Sequence, residues 1–161
     1  MMDLKGKKVS DSRVMLAQMM LPEHANTAGN VHGGWIMKLV DEAGGLACIR
    51  HAQRRVVTVA VDTMLFRHPI RIGDLIMLDA ELSYVGRSSM EVEVNVCAET
   101  PLTGQRLHTN TAYVVYVALD ADGNPTEVPP LILETDAQHE RAAAGKKRQD
   151  YRVRQSKKMS E

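Results

Sequence analysis

Residues 22–52 read PEHANTAGNVHGGWIMKLVDEAGGLACIRHA, a polar loop that ends in two glycines and runs directly into a helix. Asn26, Thr27, Ala28, Gly29 and Asn30 have turn chemistry, whereas from Trp35 onward Ile36, Leu39, Val40, Ala43 and Ala47 recur at helical spacing on one face. Gly33 and Gly34 therefore stand where a helix begins. The first turn of a helix has N–H groups without intrahelical partners and carries partial positive charge. Glycines there let a carbonyl oxygen or an oxyanion come close to the backbone donors.

Within the helix, Asp41 shares a stripe with Met37, Gly44, Gly45 and Cys48, which is otherwise apolar or very small. A carboxylate in that company is a candidate for chemistry. Each mid-helix glycine costs about 1 kcal/mol relative to alanine, so something approaches this face closely. Two readings stand side by side: a ligand or second backbone against the glycines, or close packing of the helix on a sheet. Lys38 and Glu42, four residues apart, mark the solvated side.

On either side of this stretch the chain reads as sheet. Val14 to Leu21 is an apolar run of strand length. Val56 to Phe66 contains Val57, Val59 and Val61 alternating with Thr58, Ala60 and Asp62, the period of a half-buried strand. After Pro69 and Gly73-Asp74, two alternating runs, Leu75 to Val85 and Met90 to Ala98, form an antiparallel hairpin around the turn Gly86 to Ser89. Arg106 to Leu119 is a last long strand, closed by a turn at Asp120 to Pro125. One long helix with several long antiparallel strands defines an α+β domain whose sheet curls around the helix. Residues 1–12 read as a loose leader, 13–135 as the domain and 136–161 as a basic C-terminal helix or tail. That tail carries eight Lys or Arg between Arg141 and Lys158 against one Asp. It is expected to be solvated and partly frayed, outside the core, in preference to a role on a phosphorylated ligand.

The 161 residues, 44% of them hydrophobic, suffice for one domain with a real core. Twenty basic and twenty acidic side chains balance, which argues against general binding to nucleic acid or a membrane surface. Two cysteines, Cys48 and Cys97, lie inside elements and do not form a disulfide framework, and no run has the length of a signal or membrane segment. A soluble cytoplasmic protein is expected.

Four stretches, HANTAGNVHGGWIMKLVDEAGG, VVTVAVDTMLFRHPIRIGD, VGRSSMEVEV and TAYVVYVALDADGNPTEVPPL, carry a resemblance to a known family. From about Val14 through Lys158 the chain resembles the hotdog-fold acyl-CoA thioesterases, in the cytosolic acyl-CoA hydrolase group that includes the YciA-type bacterial enzymes and the brain acyl-CoA hydrolase. The resemblance implies the hotdog fold, a sheet wrapped around the helix. It implies hydrolysis of acyl-CoA to a fatty acid and coenzyme A, with Asp41 as base or nucleophile and Asn26 as its partner. Gly33 or Gly34 would supply the backbone N–H at the oxyanion. The coenzyme is expected at the turn of Arg87, Ser88 and Ser89, with Thr58 also on the substrate and Arg67, Arg71 and the basic tail as weaker candidates. No metal and no cofactor beyond the coenzyme A of the substrate is implied. His24, His32 and His51 form no ligand spacing and read as polar groups of loop and helix. A homodimer with the active sites at its interface, assembled as a trimer of dimers, is implied as well.

Helix geometry points the same way. Asp41 lies eight residues beyond Gly33, about 12 Å along one helix, so a single thioester carbon cannot touch both. A two-fold partner removes the distance problem. Two other classes remain to be weighed: a hotdog enoyl-CoA hydratase, which would pair the carboxylate with His24 or His32, and a non-enzymatic acyl-CoA-binding regulator. The second lacks room for a DNA-binding module.

Overall fold

The computed structural model describes residues 4–159. Its centre is a five-stranded antiparallel sheet in the order β2–β4–β5–β6–β3, with β2 at Val14–Met19, β3 at Arg55–Val61, β4 at Leu75–Val85, β5 at Ser89–Thr100 and β6 at Gln105–Leu119. The helix α2, Gly33–Ala52, lies in the concave face. The register explains the face: Leu78 pairs with Val96, Ala80 with Val94 and Leu82 with Val92, and on the other side of β5 Val92 pairs with Val114 and Val94 with Ala112. All of these side chains point one way because strand side chains alternate, and all are at most 1% exposed. Ile36, Leu39, Val40, Ala43, Ala47 and Cys48 of α2 complete the core. This is the hotdog arrangement expected from the sequence. The first strand stops at Met19 and the strand after the helix at Val61, both short of the expected Leu21 and Phe66.

Helix α2 ends at Gln53, whose left-handed φ of 51° turns its N–H onto Ile49 O at 2.7 Å. Its last carbonyls are also capped from a distance. Lys7 Nζ donates to Arg50 O and His51 O at 3.0 and 2.8 Å, placing a cation at the negative end of the helix. This corrects the expectation of a loose leader within residues 4–12; residues 1–3 lie outside the described part. Lys7–Lys8 form a short strand β1, parallel to β7 at Leu131–Ile132, and Val9–Ser12 form a one-turn helix α1 with Val9 and Ser12 buried. The segment has too few apolar residues for a periodic signal, yet its Lys7 and Val9 are tied to the core.

The tail is corrected too. Asp136–Met159 is one helix, α3, docked on the convex face of the sheet. Its seat is Glu91 on β5, 1% exposed, whose carboxylate accepts from Arg148 Nε and Nη2 at 3.0 and 2.7 Å and from Arg152 Nη2 at 3.0 Å. Ser83 Oγ adds a bond of 2.7 Å, Arg152 also reaches Asp62 at 2.7 Å, and Arg148 lies over the Tyr113 ring at 3.7 Å. Gly145 permits this approach, because a Cβ there would stand 2.6 Å from Tyr84 Cβ. The basic residues that suggest a solvated helix in sequence are the ones that attach it.

Candidate functional site

The loop before α2 is built around Asn26. Its N–H donates to Asn30 O at 2.7 Å, and its side-chain Oδ1 accepts from the N–H groups of Ala28 and Asn30 at 2.9 and 3.2 Å. Gly29 takes the positive φ of 85° that closes this turn. Two backbone donors on Oδ1 fix the amide orientation, so the Nδ2 donors are turned away from the loop.

At the start of α2 the two glycines separate. Gly34 N–H is taken by His32 Nδ1 at 2.9 Å, an N-cap by the histidine ring, and Trp35 N–H is taken by His32 O. Gly33 N–H makes no hydrogen bond within the described residues. A pocket of about 240 Å³ lies here, lined by Asn26, Asn30, Gly33, Phe66, Pro69 and Ile70 among others. Asn26 and Gly33 thus line one pocket. Gly34 does not join them as a donor.

Asp41 lines no part of that pocket. Its carboxylate sits in the middle of α2, exposed, in a cradle of two hydroxyls: Thr58 Oγ1 donates to Oδ1 at 2.7 Å, and Tyr116 Oη lies 3.1 Å from Oδ1 and 2.8 Å from Asp41 O. Thr58 and Tyr116 are register partners on β3 and β6, so the sheet itself brings both hydroxyls to one face at one level. The register shifts just after Thr58, a bulge of the kind that redirects side chains beside functional sites. Thr58, expected on the substrate, is therefore bonded to the carboxylate in this chain. Oδ2 has no partner among the described residues. Burial drives the Tyr116 phenol well above its ordinary value, with the Asp41 charge pushing the same way, so it remains a proton donor throughout the working range.

Tyr116 is the residue that sequence reasoning missed. Its signal was the glycine pair: a Cβ on Gly44 would lie 2.5 Å from Tyr116 Oη and 3.0 Å from its ring. What crowds this face of the helix is a side chain of the sheet. Cys48, one turn on, is fully buried, and its thiol is raised by that burial, which keeps it unreactive.

The turn expected to hold the coenzyme divides. Arg87 is exposed and lines a groove of about 500 Å³ with Tyr84, Gly86, Glu127, Val128 and Ala142. Ser89 lines a different groove, of about 550 Å³, beside Val59, Val117 and Arg152. Main-chain bonds hold the turn at 2.8–3.0 Å: Val128 N–H, after β6, donates to Arg87 O, Ala118 N–H of β6 donates to Ser88 O, and Gly86 N–H closes the turn on Ser89 O. Arg67 and Arg71 are exposed.

The histidines serve the scaffold. His24 is 2% exposed, accepts from Leu21 N–H at 2.9 Å and stacks on Trp35 with centroids 4.1 Å apart. His51 is buried with Nε2 on Pro129 O at 2.8 Å. Among the described residues no group of three or more His, Cys, Asp or Glu could hold a metal ion.

The thioesterase superfamily pattern matches residues 28–105. An uncharacterized acyl-CoA thioester hydrolase of Zymomonas mobilis is 39% identical over 111 residues, covering 69% of this chain and 74% of that protein. The cytosolic acyl coenzyme A thioester hydrolase of rat is 35% identical over 142 residues, covering 87% of this chain, which spans only 37% of the rat protein's length. Among solved structures, an apo-hexameric acyl-CoA thioesterase superposes with a TM-score of 0.90 at 29% identity, covering 95% of this chain and 98% of that one. An acyl-CoA hydrolase of Staphylococcus aureus, solved with butyryl coenzyme A and coenzyme A, gives 0.85 at 28% identity over 96% of each chain. Alanine variants of that enzyme at an asparagine, an aspartate and a threonine have also been solved. The chain belongs to the thioesterase superfamily, within its acyl-CoA thioester hydrolases.

Proposed function

We propose that the protein hydrolyses acyl-CoA thioesters at sites shared between two chains, the loop and helix start of one subunit facing the carboxylate of its partner. The observation that carries this is the division of the site along one unbroken helix. Asn26 and Gly33 share a pocket, whereas Asp41 lies about 12 Å further along α2 in its own cradle. Beside that cradle runs β3, an edge strand with Val57, Val59 and Val61 between 42% and 53% exposed. An apolar edge strand is a surface for pairing with another strand, and a two-fold pairing there would bring each Asp41 toward its partner's loop. The hexameric assembly of a similar enzyme supports a trimer of such dimers.

In the chemistry, Gly33 N–H and Asn26 Nδ2 polarise the thioester carbonyl and hold the charge that develops on its oxygen. Asp41 Oδ2 takes a proton from water as the water oxygen bonds to the carbonyl carbon, or itself attacks that carbon to give an anhydride that water then opens. Collapse breaks the carbon–sulfur bond and the coenzyme leaves as a thiolate, which recovers the proton from Asp41 when water attacks first and takes one from water when the anhydride forms first. The three residues changed in the Staphylococcus aureus enzyme support the assignment, because its aspartate follows its asparagine by fifteen residues and its threonine follows by seventeen more, the spacing of Asn26, Asp41 and Thr58. The hydratase reading is less well supported, since His24 and His32 both accept backbone N–H groups at Nδ1, which leaves each neutral ring a proton at Nε2 and no free basic nitrogen. Arg87 beside its groove is the proposed contact for the coenzyme phosphates. A cytosolic location follows the rat relative's name.

Refolding Asn26→Ala and Asp41→Ala chains together tests the shared site. Random reassembly gives mixed dimers with one intact and one doubly altered site, and about a quarter of wild-type thiol release returns. Subunit exchange confirmed by a tag on one variant, with no recovered activity, refutes it.

A further inference from the structure

The glycine pair and the tyrosine opposite it have a purpose beyond packing. Tyr116 Oη is buried inside the domain, within reach of Asp41 O at 2.8 Å and Asp41 Oδ1 at 3.1 Å. Thr58 Oγ1 reaches the same Oδ1 at 2.7 Å. Oδ1 therefore has two hydroxyls within reach, Thr58 donating to it and Tyr116 sharing its one proton between Oδ1 and the main-chain oxygen, while Oδ2 has no partner among the described residues. The tyrosine touches the main chain and the side chain of the same residue, which restrains both rotations of the Asp41 side chain against the helix. Only a glycine at position 44 admits the hydroxyl to this depth, since a Cβ would meet it at 2.5 Å.

Resting on the reading of Asp41 as the reacting carboxylate, we infer that Tyr116 is a positioning residue: with Thr58 it pins Asp41 Oδ1 so that Oδ2 alone is presented to the thioester, and Gly44 is the clearance this requires. A carboxylate free to rotate would exchange its two oxygens and spend part of its time hydrogen-bonded elsewhere. A pinned one meets the reacting atom in a fixed direction, and misplacement by about 1 Å is enough to cost turnover on the order of 10²-fold. The aromatic ring contributes to the core whether or not the hydroxyl is present, so its packing and positioning functions are separable by a single atom.

The test measures thiol release from an acyl-CoA for Tyr116→Phe, Gly44→Ala, the double variant and Asp41→Asn, with turnover expressed per coenzyme A site counted by calorimetry. Tyr116→Phe lowers kcat about tenfold, the worth of a charge-assisted hydrogen bond, and leaves KM within about twofold. Gly44→Ala lowers kcat at least as far, and the double variant loses less than the product of the two single losses, since both disturb the same contact. A Tyr116→Phe enzyme with wild-type kcat overturns the inference if Asp41→Asn is inactive. An active Asp41→Asn overturns instead the reading on which it rests. Losses that multiply in the double variant overturn the role of Gly44. Should Gly44→Ala fail to fold, recovery of the fold by Tyr116→Phe supports the shared contact and its absence overturns that role.

Discussion

Helices α2 and α3 lie on opposite faces of the same sheet and are held there by opposite means. α2 buries Ile36, Leu39, Val40, Ala43, Ala47 and Cys48 against the concave face, a broad apolar contact in which no single residue dominates. α3 buries one glycine and otherwise attaches through Arg148 and Arg152 to Glu91, with Arg141 on Glu81 at 2.8 Å. The difference teaches that dispersed apolar burial gives a helix its place through area, whereas a polar helix needs a few directed contacts with both partners present.

Glu91→Ala breaks the comparison hardest. It leaves Arg148 without its carboxylate and Arg152 with that of Asp62 alone, and the domain loses about 4 kcal/mol of stability, read from denaturant unfolding. A loss under about 1 kcal/mol would mean α3 is seated by something else. On the other face, Ile36→Ala costs about 3 kcal/mol, a cavity in a contact that many residues share. A loss exceeding that of Glu91→Ala would reverse the contrast.

A smaller effect sits at the end of α2. Burial holds the His51 imidazole below its ordinary value of 6.5, outweighing the raising effect of Pro129 O. The unfolded chain then binds more protons than the folded one below that value. His51 leaves stability undiminished above pH 6.5 and lowers it as pH falls further, by at most about 1.4 kcal/mol per unit. His51→Gln flattens the fall between pH 6.5 and 5.5 in paired unfolding curves, and identical slopes refute the assignment. The smallest effect is on the exposed side of α3, where Lys146 pairs with Asp150 in water. Lys146→Ala leaves the melting temperature unchanged, and a clear drop would show that this face is covered.

The sequence by itself determined the helix, the long strands and the concave core, because alternation puts Ile76, Leu78, Ala80 and Leu82 on one face with Val92, Val94 and Val96, and a one-residue slip would turn them all outward. It also marked Gly33, Gly34 and Asp41, since a glycine start and a lone carboxylate on a small-residue stripe are local signals, whereas Asn26 was singled out from the other turn residues only by the family resemblance. Only the tertiary structure decided what those residues touch. Whether Gly33 or Gly34 keeps a free N–H depends on which way the His32 ring turns, and whether Thr58 meets Asp41 depends on pairing with a strand some sixty residues away. The leader and the tail were illegible for the same reason: Lys7 and Arg148 are charged side chains whose partners, Arg50 O, His51 O and Glu91, are distant in sequence. Hydrophobic period reports which face of an element is buried, but a hydrogen bond between distant residues is fixed only when the folded chain brings its donor and acceptor within about 3 Å of each other.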